Sequence, residues 1–260
     1  MPFLFRLDCD TFKCGRRVSP EGNSRNMNQV TDIEITDSRW KNLYKVGGAA
    51  ALSTVVFFIP ITIIAYIVWP PPFEGTVIDW FKLFQDNSLM GLVGFDFLYL
   101  LTNIIMIPVI LALYIALRRT SPSFMVIATV AVLIGTVALI AARPAFEMLS
   151  LSNQYATATT DAQRAIFLAA GEAMLAIFNG TAFQVHYILG SIALLIVSFV
   201  MLRSNIFSKK TAYVGITANI IVFGLYVPQI GTYISAFSVL FYWIWYILIT
   251  RRLFQLAKSD

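Results

Sequence analysis

Between Leu89 and Leu117 the chain reads LMGLVGFDFLYLLTNIIMIPVILALYIAL, an apolar run long enough to cross a bilayer that nevertheless carries Asp96 and Asn103. The hydrocarbon core of a bilayer offers the backbone no hydrogen-bonding partner, so such a run is constrained to fold as a helix whose amides bond within the segment. A carboxylate inside it costs roughly 2.5 to 3.5 kcal/mol on insertion scales, and is expected to face a bundle interior or a wet cavity with a partner in reach. The rest of the chain should supply that partner.

Composition agrees with a membrane setting. Of the 260 residues, 58% are hydrophobic and 13% charged, and the mean hydropathy is +0.74, well beyond the usual soluble balance. Apolar runs recur at about Val46–Trp69, Leu89–Leu117, Phe124–Ala142, Thr181–Leu202, Ala212–Tyr226 and Ile230–Ile249. They predict an all-α polytopic bundle of six transmembrane helices, a domain spanning residues 46–250. Pro60 lies inside the first run, where a kink is expected unless neighbours satisfy the freed carbonyl, and Pro70, Pro71 and Pro72 end it. The segment FEGTVIDWFKLFQDNS after them alternates charges with Trp80, Phe81 and Phe84 and reads as an interfacial helix. Between the third and fourth runs, Asp161 starts a further helical pattern, QRAIFLAAGEAMLAIF, whose apolar face is expected to pack back on the bundle.

Residues 1–26 differ in composition from everything that follows. Their apolar stretch is interrupted by Arg6 and Asp8, too early for a signal peptide. They read either as a polar tail or as lying upstream of a biological start at Met27, in which case the working chain would lack Cys9 and Cys14, its two cysteines. Residues 27–45 form a polar lead-in ending in Arg39, Trp40, Lys41 and Lys45, an interfacial mixture of cations and an amphipathic ring. Residues 251–260 form a short basic tail.

Orientation follows from the cations. Arg118 and Arg119 follow the second run, Arg203, Lys209 and Lys210 the fourth, and Arg251, Arg252 and Lys258 the sixth, whereas the alternate loops hold few cations and several acids. Positive residues collect on the cytoplasmic side, so both termini are expected there, in a multi-pass protein of the cell membrane. The net charge of +5 is thereby explained by the bilayer, and no basic face with interleaved aromatics points to nucleic acid.

The candidate polar cluster lies toward the opposite side. At about 1.5 Å per residue Asp96 is about 10 Å inside the second run and His186, the single histidine, about 8 Å inside the fourth, so their depths match. Asn103 is two turns deeper than Asp96. Glu172, Asn179 and His186 are spaced by seven and would form one stripe if a helix ran through Gly180, which could equally break it. Arg143 is a cation at a helix end where cations are otherwise scarce, within reach of Asp96, Glu147 or Glu172. Asp96 is expected to pair with His186 or Arg143. The plainer reading makes Asp96 a buried ion pair or interhelical hydrogen bond, and His186 a donor to a backbone carbonyl.

One histidine excludes a zinc hydrolase of the usual ligand number and a bis-histidine haem. No Gly-x-Ser-x-Gly is present, and no lysine lies inside a span for a retinal Schiff base. No metal site, cofactor or catalytic residue is assigned.

The text HYILGSIALLIVSFVMLRSNIFSKKTAYVGITANIIVFGLYVP, with FLYLLTNIIMIPVILALYIALRR earlier, resembles a family of bacterial multi-span proteins classed as a domain of unknown function, the family numbered four-three-eight-six. The likeness spans about Trp40–Leu256. It implies a prokaryotic integral membrane protein, in the bacterial inner membrane, and brings no activity with it. Three functions compete on the residues alone: a ligand-binding or transport protein with an outward-facing polar cavity for a small molecule or lipid; an accessory subunit of a larger membrane assembly, with other membrane subunits as partners; and an enzyme acting on lipid, the least favoured.

Overall fold

The computed structural model describes residues 38–63 and 75–258, and among these every element of regular structure is helical. Ten α-helices follow one another: α1 (Lys41–Ile63), α2 (Val77–Asp86), α3 (Ser88–Gly94), α4 (Phe97–Leu117), α5 (Pro122–Ala141), α6 (Ala145–Thr157), α7 (Asp161–Phe178), α8 (Thr181–Arg203), α9 (Lys209–Val222) and α10 (Gly231–Lys258). A 3₁₀ turn, Phe223–Tyr226, extends α9. The tail 1–26, its cysteines and the Pro70–Pro72 terminator lie outside the described residues. Helix α1 itself continues through Pro60.

Five segments are long and apolar enough to cross a membrane: Lys41–Ile59, Phe97–Leu117, Pro122–Thr157, Asp161–Arg203 and Gly231–Lys258. The chain is a multi-pass membrane protein. Helices α1, α4, α5, α8, α9 and α10 pack each on the next in chain order, and α10 closes back on α1, so the six form a ring. Close crossings hold it together. A side-chain carbon on Gly47 would come within 2.5 Å of Ala112 Cβ, and one on Gly215 within 2.5 Å of Trp245 Nε1, so glycine is what lets α1 meet α4 and α9 meet α10. The ring core is Ile110, Leu113, Leu117, Met125, Val197, Met201, Trp245, Ile249 and Leu253. Its outside is apolar as well: Ile127, Ile134 and Val137 on α5, Ile192 and Phe199 on α8, and Ile244 and Ile247 on α10 are exposed, as helices bathed in lipid require.

Helices α2, α3, α6 and α7 form a cap on one end of the ring, with a core of Val77, Trp80, Phe81, Phe84, Phe95, Met148 and Phe178. Here local sequence signals set the boundaries. Thr76 and Asp79 form a reciprocal capping box at the start of α2, Asn87 caps α3 and Thr160 caps α7. Helix α2 buries its aromatic face inside this cap, where the sequence suggested an interfacial helix. The reason is its partners: Ser152 Oγ on α6 donates to Phe81 O at 2.8 Å, and Gly171 on α7 leaves room for Val77 and Phe81.

A second difference concerns the run Leu89–Leu117. It is not one helix, because the chain turns at Phe95 and Asp96, and Asp96 takes a left-handed backbone conformation with φ 61°. Phe95 explains the break. Its ring is fully buried in the cap core, 5.1 Å from Trp80 and 4.6 Å from Phe178 between centroids, and an unbroken helix would carry it away. Aspartate is one of the few residues that tolerates this conformation. Asp96 is therefore the residue before α4, at the junction of cap and ring, and not 10 Å inside a span.

Candidate functional site

The ring lines a pocket of about 120 Å³, partly open to its surroundings, to which all six of its helices contribute side chains. It lies between the ring core and a smaller cluster of Leu139, Ala142 and Phe183 at the cap end. A dry cavity of about 150 Å³ takes a molecule the size of benzene, so this one suits a solute of that size or smaller, or several waters.

His186 and Tyr99 form its best-defined polar pair. His186 Nδ1 is 3.0 Å from the carbonyl oxygen of Gly135, which can only accept, so the proton sits on Nδ1. Nε2, 3.2 Å from Tyr99 Oη, then accepts from that hydroxyl. Both ring nitrogens are satisfied in the neutral form. Asn103, one turn below Tyr99, also lines the cavity and donates to Tyr99 O at 2.8 Å. Opposite stand Tyr187 on α8 and Tyr242 and Tyr246 on α10. Tyr187 donates to Val222 O at 3.2 Å and meets Ser235 Oγ, and Tyr242 donates to Asn219 Oδ1 at 2.7 Å. Among the described residues that line it there is no Asp, Glu, Lys or Arg.

The ionised groups sit at the junction instead. Of the two partners open to Asp96, the structure supplies Arg143: its Nε lies 3.2 Å from Asp96 Oδ2, with the N–H off the line a hydrogen bond needs. The guanidinium is almost wholly buried, and the carboxylate about a quarter exposed. Arg143 also donates to Phe178 O at 2.7 Å and to Ala142 O at 3.2 Å, the carbonyls that end α7 and α5. Its charge lies over the rings of Phe178 and Phe183, 4.0 and 4.6 Å from their centroids. A cation at two helix C-termini, between two aromatic faces and beside a carboxylate, is a fastening between cap and ring.

Two other candidates do not join. Helix α7 stops at Phe178, with Asn179 as its cap, and α8 begins at Thr181, so no stripe of Glu172, Asn179 and His186 exists. Glu172 and Asn179 are exposed. The chain turns at Gly180, where a side-chain carbon would come within 2.8 Å of the Ala176 carbonyl, so glycine fits the tight turn. Four tyrosines, the hydroxyls of Thr54, Thr102, Thr136 and Ser191, and Gly190 line the cavity without having been singled out by charge. Their signal in the sequence is polar atoms and a glycine within otherwise aliphatic helices.

Among the described residues no three His, Cys, Asp or Glu side chains gather into a metal-ligand set. Compared with known proteins, the chain matches no family model, no curated protein and no solved structure.

Proposed function

We propose that this is a six-span protein of the cell membrane, with both termini in the cytoplasm and the cap on the far side, which holds or passes a small solute through the chamber of its helix ring. Charge supports the orientation. Among the described residues eleven Lys and Arg side chains, from Arg39 to Lys258, belong to the segments at the ring end remote from the cap, with no acid there, while the cap and its junction hold six acids and three cations. With its 3₁₀ extension α9 reaches about 29 Å, close to a hydrocarbon core of about 30 Å, which supports counting it as the sixth span. The texture shared with the bacterial multi-span family fits a prokaryotic inner membrane.

The observation that carries the solute reading is Gly190. It sits in the middle of α8 on the cavity wall, and a side-chain carbon built there would meet nothing within 4 Å. Its backbone is ordinary, since the described glycines have no positive φ. Neither close packing nor conformation calls for glycine, and in a helix it costs about 1 kcal/mol relative to alanine. What it preserves is space.

The test is to fill that space. Purified protein in nanodiscs is equilibrated with glycerol, acetamide, acetate or methylammonium, and saturation transfer from protein to each solute is read by NMR. At least one solute should give a signal with the wild type that falls to baseline in Gly190→Leu, with unfolding temperature maintained. If every wild-type signal survives in Gly190→Leu, the chamber is not a solute site.

A further inference from the structure

The chamber has an unusual balance of hydrogen-bonding groups. Thr54, Thr102, Thr136 and Ser191 all point hydroxyl protons at carbonyls of their own helices, Ala50, Tyr99, Val132 and Tyr187, at 2.7–3.0 Å. Such back-bonding spends the donor and leaves the oxygen with lone pairs. The protons of Tyr99, Tyr187 and Tyr242 are likewise engaged, by His186 Nε2, Val222 O and Asn219 Oδ1. Asn103 gives one N–H to Tyr99 O, so its amide orientation is fixed, and its Oδ1 accepts nothing from the described residues. Tyr246 lines the chamber with a hydroxyl that makes no hydrogen bond among the described residues. Asn103 also hydrogen-bonds the Tyr99 side chain, so among the described residues the walls hold many acceptor oxygens, one uncommitted donor (Tyr246 Oη–H) and no ionised side chain.

We infer that the chamber selects a small uncharged solute carrying more N–H donors than acceptors, of the urea and primary-amide class. This rests on the chamber being the solute site. An anion would find one free donor and no cation there, and an ammonium would be desolvated with no carboxylate beside it, each at high cost. A ketone or ether leaves the oxygens unpaired. A primary amide offers its N–H groups to the oxygens and its single carbonyl to Tyr246, leaving the fewest groups unmatched.

Acetamide and acetone are nearly the same size, share a carbonyl and a methyl group, and differ in the N–H donors; methylammonium adds charge. Methyl saturation transfer is measured for all three with the protein in nanodiscs, for the wild type, Gly190→Leu and Tyr246→Phe. The wild type should bind acetamide at least about fivefold better than acetone, the factor that one unmade hydrogen bond of about 1 kcal/mol implies, with methylammonium at baseline. Gly190→Leu should abolish the acetamide signal. Tyr246→Phe should weaken acetone more than acetamide and so widen their ratio, because acetone depends wholly on donors from the wall. Acetone equal to or better than acetamide, or methylammonium ahead of both, overturns the inference; if that other signal still vanishes in Gly190→Leu, the chamber stands as a solute site and only its selectivity was misjudged. If no signal depends on Gly190, both fail.

Discussion

The ring and the cap are built from one chain by different rules. Ring helices are apolar on every side, because lipid lies outside and a core inside, and they meet where glycine allows close approach and polar hydroxyls fold back on their own carbonyls. In the cap, side-chain caps start α2, α3 and α7, and α2 turns one aromatic face inward, although α6 starts without such a cap and α9 in the ring has one at Ser208. Among the described residues every carboxylate belongs to the cap or its junction with the ring. The contrast shows that burial by lipid and burial by protein ask different things of a sequence. A helix facing lipid is not marked by amphipathicity, whereas α2 cannot be understood without it.

The sharpest way to break the comparison is to cut the two regions apart. Arg143→Met leaves Asp96 without its cation and the Phe178 carbonyl without its donor, and should cost about 3–5 kcal/mol, read as a large fall in unfolding temperature in mild detergent. Asp96→Asn, which retains a polar partner, should be much milder. A loss below about 1 kcal/mol in Arg143→Met would mean that aromatic packing alone joins cap to ring.

A smaller effect tests the ring alone. Gly215→Val forces a branched side chain against Trp245 and Ser198, and should cost about 1–3 kcal/mol by overpacking while leaving proteolysis of the cap unchanged. If the cap loosens too, the regions unfold as one and the distinction is architectural only.

The smallest effect separates them by pH. Hydrogen bonds from the Thr76 hydroxyl and backbone N–H hold the Asp79 carboxyl below its ordinary value of 3.8. A depressed folded value means that the capping box contributes fully above 3.8 and is lost as pH falls through the lower, folded value. Proteolysis within 77–86 should therefore rise in strong acid, and this response should be absent in Asp79→Asn. An acid response of equal size in that variant would place the sensitivity elsewhere.

Much of this arrangement can be read from the residues. Five of the six apolar runs fall on segments long and apolar enough to cross a membrane, because hydropathy over twenty residues is a strong signal; the fifth run, Ala212–Tyr226, is shorter and its helix is not among them. What is illegible has local causes. The break at Asp96 is decided by where Phe95 must go, a tertiary demand within a run whose hydropathy is continuous. Gly180 was visible as a possible break, but only the folded chain shows that it turns there. Helix α2 has the composition of a surface helix, and nothing nearby in sequence announces that α6 and α7 will cover it. The chamber is hidden for another reason: tyrosine and threonine inside an apolar helix usually signify packing, and only folding shows which of them surround one space.

The closure of α10 on α1 bears on how such a molecule comes into being. Tyr242 and Tyr246 belong to α10, the last of the six ring helices in chain order, so until it docks the other five leave the pocket without these side chains. The chamber does not grow gradually. Its wall is complete only when α10 docks against α1, and any ligand that favours the closed ring acts as a clasp on assembly as well as an occupant of the finished protein.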